Sequence, residues 1–194
     1  MLTVYADLGS GNCHKVIWVA EYLALPHRVV ALEVASGGAR TPEFLGVNPW
    51  GKVPAVVLED GRLLTESNAI ISYLAEGSDL IPADRFDRAR MLQWMFWEQY
   101  SHEPVIAVRR YKMHFLHQAE SELDPALLTR GNAALAELQR NLAGGGFLAG
   151  DRVSLADVAL VAYTRLAHEG GFTLADFPAV RDWVARVQTA LRIS

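Results

Sequence analysis

The sequence has very little cysteine: Cys13 is the only one in 194 residues. A lone cysteine cannot close an intramolecular disulfide or supply a multi-cysteine zinc site. Net charge is small as well, 18 basic against 22 acidic residues, or −4. Combined with 51% hydrophobic residues, this excludes a disordered chain. A pI near 5.8 argues against nucleic-acid binding, which requires a basic face. No apolar run approaches the roughly 18 residues that span a bilayer. Asp7, Lys15 and Glu21 interrupt the N-terminal apolar residues, so no signal-peptide core forms there. The expectation is a cytoplasmic protein that binds neither nucleic acid nor membrane. The length allows one domain or two small ones, each with a buried core. There is no internal repeat and no low-complexity tract.

What is present changes character along the chain. Leu2-Thr3-Val4-Tyr5 reads as a strand and Gly9 to Asn12 as a turn. From Cys13, the residues Val16, Ile17, Val19, Ala20 and Leu23 keep helical spacing. His27 to Val34 reads as a second strand, ended by Ser36-Gly37-Gly38. Thr41 and Pro42 start a short helix as cap and first-turn proline. Residues 55–64 carry a hairpin signal around Asp60-Gly61. A helix begins near Glu66, with Ala69, Ile70, Tyr73 and Leu74 on one face. The order βαβαββα resembles a thioredoxin-like half. Residues 1–77 form that domain, 78–85 a linker, and 86–194 an all-helical domain, with breaks expected at Pro104, Asp124-Pro125, Gly144-Gly145-Gly146 and Gly170-Gly171. Ser154 to Asp157 has capping-box-like spacing.

Four segments of the first third carry chemistry. Ser10-Gly11-Asn12-Cys13-His14-Lys15 opens a helix, where free N–H groups and the helix dipole favour an anion. Ser10 and Asn12 could equally serve only as caps. In Asn48-Pro49-Trp50-Gly51-Lys52-Val53-Pro54, a proline directly before a strand suits a cis bond. That geometry would leave the N–H and C=O of Val53 open to an extended peptide. In Thr65-Glu66-Ser67-Asn68, Ser67 could hold a carboxylate at a helix N-terminus and Glu66 an amine. Arg40 could pair with a second carboxylate, or simply be solvated.

In this order, and together with the helical second half, these motifs resemble a bacterial, cytosolic-type glutathione transferase over essentially the whole chain. The Ser154–Asp157 segment resembles that family's folding motif. The resemblance implies a homodimer that uses glutathione as co-substrate. It implies that Val53, before cis-Pro54, pairs with the cysteinyl part of glutathione, and that Glu66 and Ser67 hold the γ-glutamyl end. Lys52 and Arg40 would approach the carboxylates. Ser10 stands where serine-type members place the activating hydroxyl, with Asn12 as a further sulfur contact. Tyr5 lies too early, inside the strand, for the tyrosine-type role. Ser10-Gly11-Asn12 does not match the Ser-Ser-Cys run of the zeta-class isomerases.

A free thiol has a pKa near 8.5 and attacks as the thiolate. One hydrogen bond to a charged group contributes roughly 1.5–3 kcal/mol, or about one to two pKa units. Ser10 therefore need only stabilise the sulfur anion, which then attacks an electrophile. Cys13 is open to two readings, a reactive thiol in the helix field or a packing residue. By the same resemblance, Trp97, Tyr100 and His102 would line the second-substrate pocket, with Glu98 near the amino group of glutathione. His114 and His117 share a helical spacing, but no third ligand completes a metal site. Two alternatives stay open, a glutathione-dependent disulfide reductase or peroxidase, and a non-catalytic binding protein of the same fold.

Overall fold

The computed structural model describes residues 1–193. The chain divides into two compact units, Met1–Ser78 and Asp79–Ser194. The first is α/β. Its elements are β1 (Leu2–Ala6), α1 (Gly11–Tyr22), β2 (His27–Ala31), α2 (Pro42–Val47), β3 (Ala55–Val57), β4 (Leu63–Thr65) and α3 (Ser67–Leu74). The sheet order is β2-β1-β3-β4. β1 runs parallel to β2, with Val4 opposite Val29, and antiparallel to β3, with Val4 opposite Val56. A parallel pair needs a crossover, and α1 supplies it. β3 and β4 form the expected hairpin, with Gly61 at φ +84° in its turn. This is the thioredoxin-like arrangement.

β2 is shorter than the sequence suggested. It ends at Ala31: Leu32 N–H makes the last bond to β1, to Ala6 C=O at 2.8 Å, and Val34 N–H then turns to the Asp7 carboxylate at 2.9 Å. α1 is the central helix of the unit. Cys13, Val16, Val19 and Ala20 are fully buried, which leaves it almost no solvent face. A second cluster, Ala39, Phe44 and Ala55, packs with Tyr5 on the other side of β1. The Tyr5 and Phe44 rings are 5.6 Å apart.

The second unit is helical: α4 (Arg85–Trp97), α5 (Glu103–Arg110), α6 (Pro125–Leu142), α7 (Leu155–Thr164) and α8 (Pro178–Leu191). α7, almost wholly apolar in sequence, is buried along its whole length. Caps start the helices. Asp84 accepts from Phe86 and Asp87 N–H at 2.8 and 3.0 Å, and Asp124 from Ala126 N–H at 2.9 Å. Pro104 does not break the chain as expected. A π-helical turn, Glu98–His102, carries α4 into α5, with Pro104 in the first turn of the latter. Proline lacks an N–H, and a helix start can absorb that loss.

Asp157 organises this unit. Its carboxylate accepts from Leu148 N–H at 3.0 Å, Ser154 N–H and hydroxyl at 2.9 Å each, and Trp183 Nε1 at 2.8 Å. The carboxyl is fully buried, and burial pushes its pKa up against the pull of those donors. No helix of the described residues is long and apolar enough to cross a membrane.

Candidate functional site

Three chain segments of the first unit build the site. The first is the β1–α1 turn. Asp7 pins it: one carboxylate oxygen accepts from Gly9 N–H at 2.8 Å, the other from Val34 N–H at 2.9 Å. Ser10 is the N-cap residue of α1, with φ −88° and ψ 123°. Its C=O receives the N–H groups of Cys13 and His14, both at 3.1 Å. Its hydroxyl makes no capping bond. A half-buried hydroxyl thus stands at the positive end of the central helix.

Cys13 lies one turn on, with 0% of its surface exposed. Burial pushes its thiol up to about 11, against the opposing effects of the Ser10 side chain and the Asp7 N–H. That N–H reaches Sγ at 3.3 Å. A wholly buried thiol that stays protonated at neutral pH is not a nucleophile. The reactive-thiol reading of Cys13 is therefore corrected, and the residue packs the core.

The second segment runs from Ala39 to Pro54. Asn48, 1% exposed, shapes it with one side chain. Its Nδ2 donates to Lys52 C=O at 2.8 Å and its Oδ1 accepts from Trp50 N–H at 3.2 Å. Gly51 has φ +58°, and Arg40 lies across it: a Cβ at Gly51 would fall 2.5 Å from Arg40 Nη1. Arg40 Nη1 also reaches Trp50 C=O at 3.5 Å. The exposed side chain of Arg40 is thus held against the loop that carries exposed Lys52. Val53–Pro54 is a cis peptide. Among the described residues, neither the N–H nor the C=O of Val53 takes a hydrogen bond.

The third segment is the start of α3. Glu66 caps it at φ +66°, ψ 110°, in the left-handed region that non-glycine residues rarely adopt. Such outliers cluster at functional sites. Ile70 N–H bonds Glu66 C=O at 2.9 Å. The N–H groups of Ser67 and Ala69 are left at the helix end, where they can receive an anion. The Ser67 hydroxyl donates to Asn12 Oδ1 at 3.0 Å, which joins the third segment to the first.

Chemically, this arrangement offers a hydroxyl at one helix N-terminus, an extended backbone edge at Val53, and an anion-ready helix end beside an exposed carboxylate. Together these can hold an extended peptide with a thiol and a terminal α-amino acid group. Among the described residues there is no cluster of three or more metal-ligating side chains.

The second-substrate candidates separate. In the second unit, Tyr100 is 84% exposed, while Trp97 is half-buried and meets Trp94 edge to face at 5.2 Å. His102 is 0% exposed, with Nε2 2.9 Å from the Thr164 hydroxyl of α7. It is a core residue of the helical unit, so its assignment to a pocket wall is corrected. Glu98 is fully buried as well and accepts from Gln99 Nε2 at 2.8 Å.

Sequence reasoning missed Asp7, Asn48, Lys15 and Asn68. Lys15 is fully buried on α1, and its Nζ lies 3.5 Å from Asn68 Oδ1. Only the helical spacing of Lys15 among apolar neighbours hinted at this.

Comparison with known proteins agrees with the geometry. A family profile for the glutathione S-transferase N-terminal domain matches residues 9–76, and one for its C-terminal domain matches residues 96–189. A crystal structure of a glutathione S-transferase from Pseudomonas fluorescens Pf-5 is 42% identical. The match covers 100% of this chain and 97% of that one, at a TM-score of 0.93. One from Xanthobacter autotrophicus Py2 is 43% identical over 97% of this chain and 93% of that one, with a TM-score of 0.90. The disulfide-bond oxidoreductase YfcG of Escherichia coli K12 is 30% identical over 92% of this chain and 86% of its own length. The chain belongs to the glutathione S-transferase family and is a glutathione-dependent enzyme.

Proposed function

We propose that this protein is a cytoplasmic, homodimeric glutathione S-transferase. It activates glutathione as a thiolate for attack on a small electrophile. One observation carries the reading: the Asn12–Ser67 bond at 3.0 Å brings the Ser10 turn and the start of α3 into a single site. In this site Ser10 donates its hydroxyl to the glutathione sulfur, and the positive end of α1 adds to the stabilisation. Asn12 fixes the turn and lies near the sulfur. The N–H and C=O of Val53 pair with the cysteinyl residue in the manner of strand addition, with Pro54 setting that edge. The N–H groups at the α3 N-terminus, that of Ser67 among them, take the γ-glutamyl carboxylate, and Glu66 takes its amine. Arg40 and Lys52 attract the glycyl carboxylate.

In the reaction the sulfur loses its proton to solvent on binding. It then forms a bond to the electrophilic carbon while that carbon releases its leaving group. Ser10 acts as donor throughout and does not itself lose its proton. Exposed Phe96 on α4 and exposed Tyr100 on the π-helical turn that follows it meet the second copy. Retention on immobilised glutathione, together with turnover of an aryl halide, tests the proposal. Failure of both contradicts it.

A glutathione-dependent disulfide reductase is the second reading, supported by the relative named as a disulfide-bond oxidoreductase. With Cys13 buried, such exchange would run through bound glutathione and not through a thiol of the chain. Reduction of a small disulfide by the Cys13→Ala variant tests it.

A further inference from the structure

Lys15 is a buried charged group that the proposed reaction does not use. Its side chain has 0% exposure on the central helix, where an ammonium is costly unless it is bonded. A methionine would fill a similar space without that cost. Lys15 follows Asn12 by three residues, so both project from the same face of α1. Their contacts land on consecutive residues of α3: Asn12 Oδ1 receives the Ser67 hydroxyl at 3.0 Å, and Lys15 Nζ approaches Asn68 Oδ1 at 3.5 Å. The Asn68 C=O is anchored in turn by the Ser72 hydroxyl at 2.7 Å. The first turn of α3 is therefore tied at two neighbouring points to one face of α1.

We propose that Lys15 is a positioning residue for the γ-glutamyl end of glutathione: its ammonium fixes Asn68 and, through it, the direction in which the first N–H groups of α3 face the ligand's α-carboxylate. This rests on the reading that the α3 N-terminus holds that carboxylate. Lys15 acts through Asn68 and touches neither the sulfur nor the electrophile. Its loss should weaken recognition of one ligand group and spare the chemistry.

The test measures binding of two ligands, glutathione and 4-aminobutanoyl-cysteinyl-glycine, which lacks only that carboxylate. Wild type should bind glutathione at least tenfold tighter than the analogue. Lys15→Met should weaken glutathione about tenfold and the analogue less than twofold. KM for glutathione should rise about tenfold at unchanged kcat. Equal weakening of both ligands, no weakening of either, or a fall in kcat at unchanged KM overturns the proposal. If Lys15→Met does not fold, Asn68→Ala removes the other partner and should show the same selective loss. Equal or absent losses there overturn it too. A wild type that fails to bind glutathione defeats the site reading itself. A wild type that discriminates the two ligands while Lys15→Met behaves identically defeats only the role of Lys15.

Discussion

The Ser67 hydroxyl donates to Asn12 Oδ1 at 3.0 Å across 55 positions of sequence. The bond ties a residue of the sulfur-facing turn to the first residue of the helix proposed to hold the γ-glutamyl group. Ser67→Ala removes this link and leaves the backbone N–H of residue 67 in place for the ligand. One such neutral bond is worth about 0.5–1.5 kcal/mol, so KM for glutathione should rise about 2- to 13-fold. Steady-state kinetics with varied glutathione checks this, and kcat should change less than KM.

Cys13 should be silent. Its thiol is raised to about 11 by burial, so native protein at pH 8 should resist alkylation by iodoacetamide until it unfolds. The thiol also gives stability a definite pH dependence. The folded state favours the neutral thiol, so its contribution is complete below the unfolded pKa near 9 and is lost as pH rises towards 11. Between those values the wild type should lose about 1.4 kcal/mol per pH unit relative to Cys13→Ala. Denaturant titrations of both proteins measure the difference.

Gly51→Ala should damage the loop that presents Val53. The new Cβ would stand 2.5 Å from Arg40 Nη1 and 2.8 Å from Ala39 C=O, at φ +58°. The strain is about 1–3 kcal/mol, and it displaces Arg40 from the proposed glycyl carboxylate. Thermal denaturation should show the loss of stability, and glutathione titration a weaker complex.

In the helical unit, Asp157→Ala should cost about 3–5 kcal/mol, since it strands several buried donors at once. Asp157→Asn keeps one acceptor oxygen and should cost less. Chemical denaturation of the two variants orders them.

The sequence made the order of elements legible, because α1, α3 and α8 repeat apolar residues with helical spacing and Asp60-Gly61 marks the hairpin. Ser10, Val53-Pro54 and Glu66-Ser67 were legible because their chemistry is local: a cap, a proline turn, a helix start. Residues whose partners lie far along the chain were not. Asp7 looked like an ordinary acid until Val34 N–H, 27 residues on, was found on its carboxylate. Lys15 depends on Asn68, 53 residues away. His102 was misplaced for the same reason: its Thr164 partner is 62 residues distant, and no local pattern tells a buried imidazole from a pocket-lining one. Pro104 misled because proline usually ends helices, whereas here it opens α5 after a π-helical turn.

The central claim is that the Ser10 hydroxyl stabilises the thiolate of bound glutathione. The most direct measurement is the pKa of that thiol, read from thiolate ultraviolet absorbance of the binary complex in wild type and in Ser10→Ala. Loss of one charge-assisted hydrogen bond should raise it by about one to two pH units, with kcat/KM at neutral pH falling in step. An identical titration in both proteins would contradict the account.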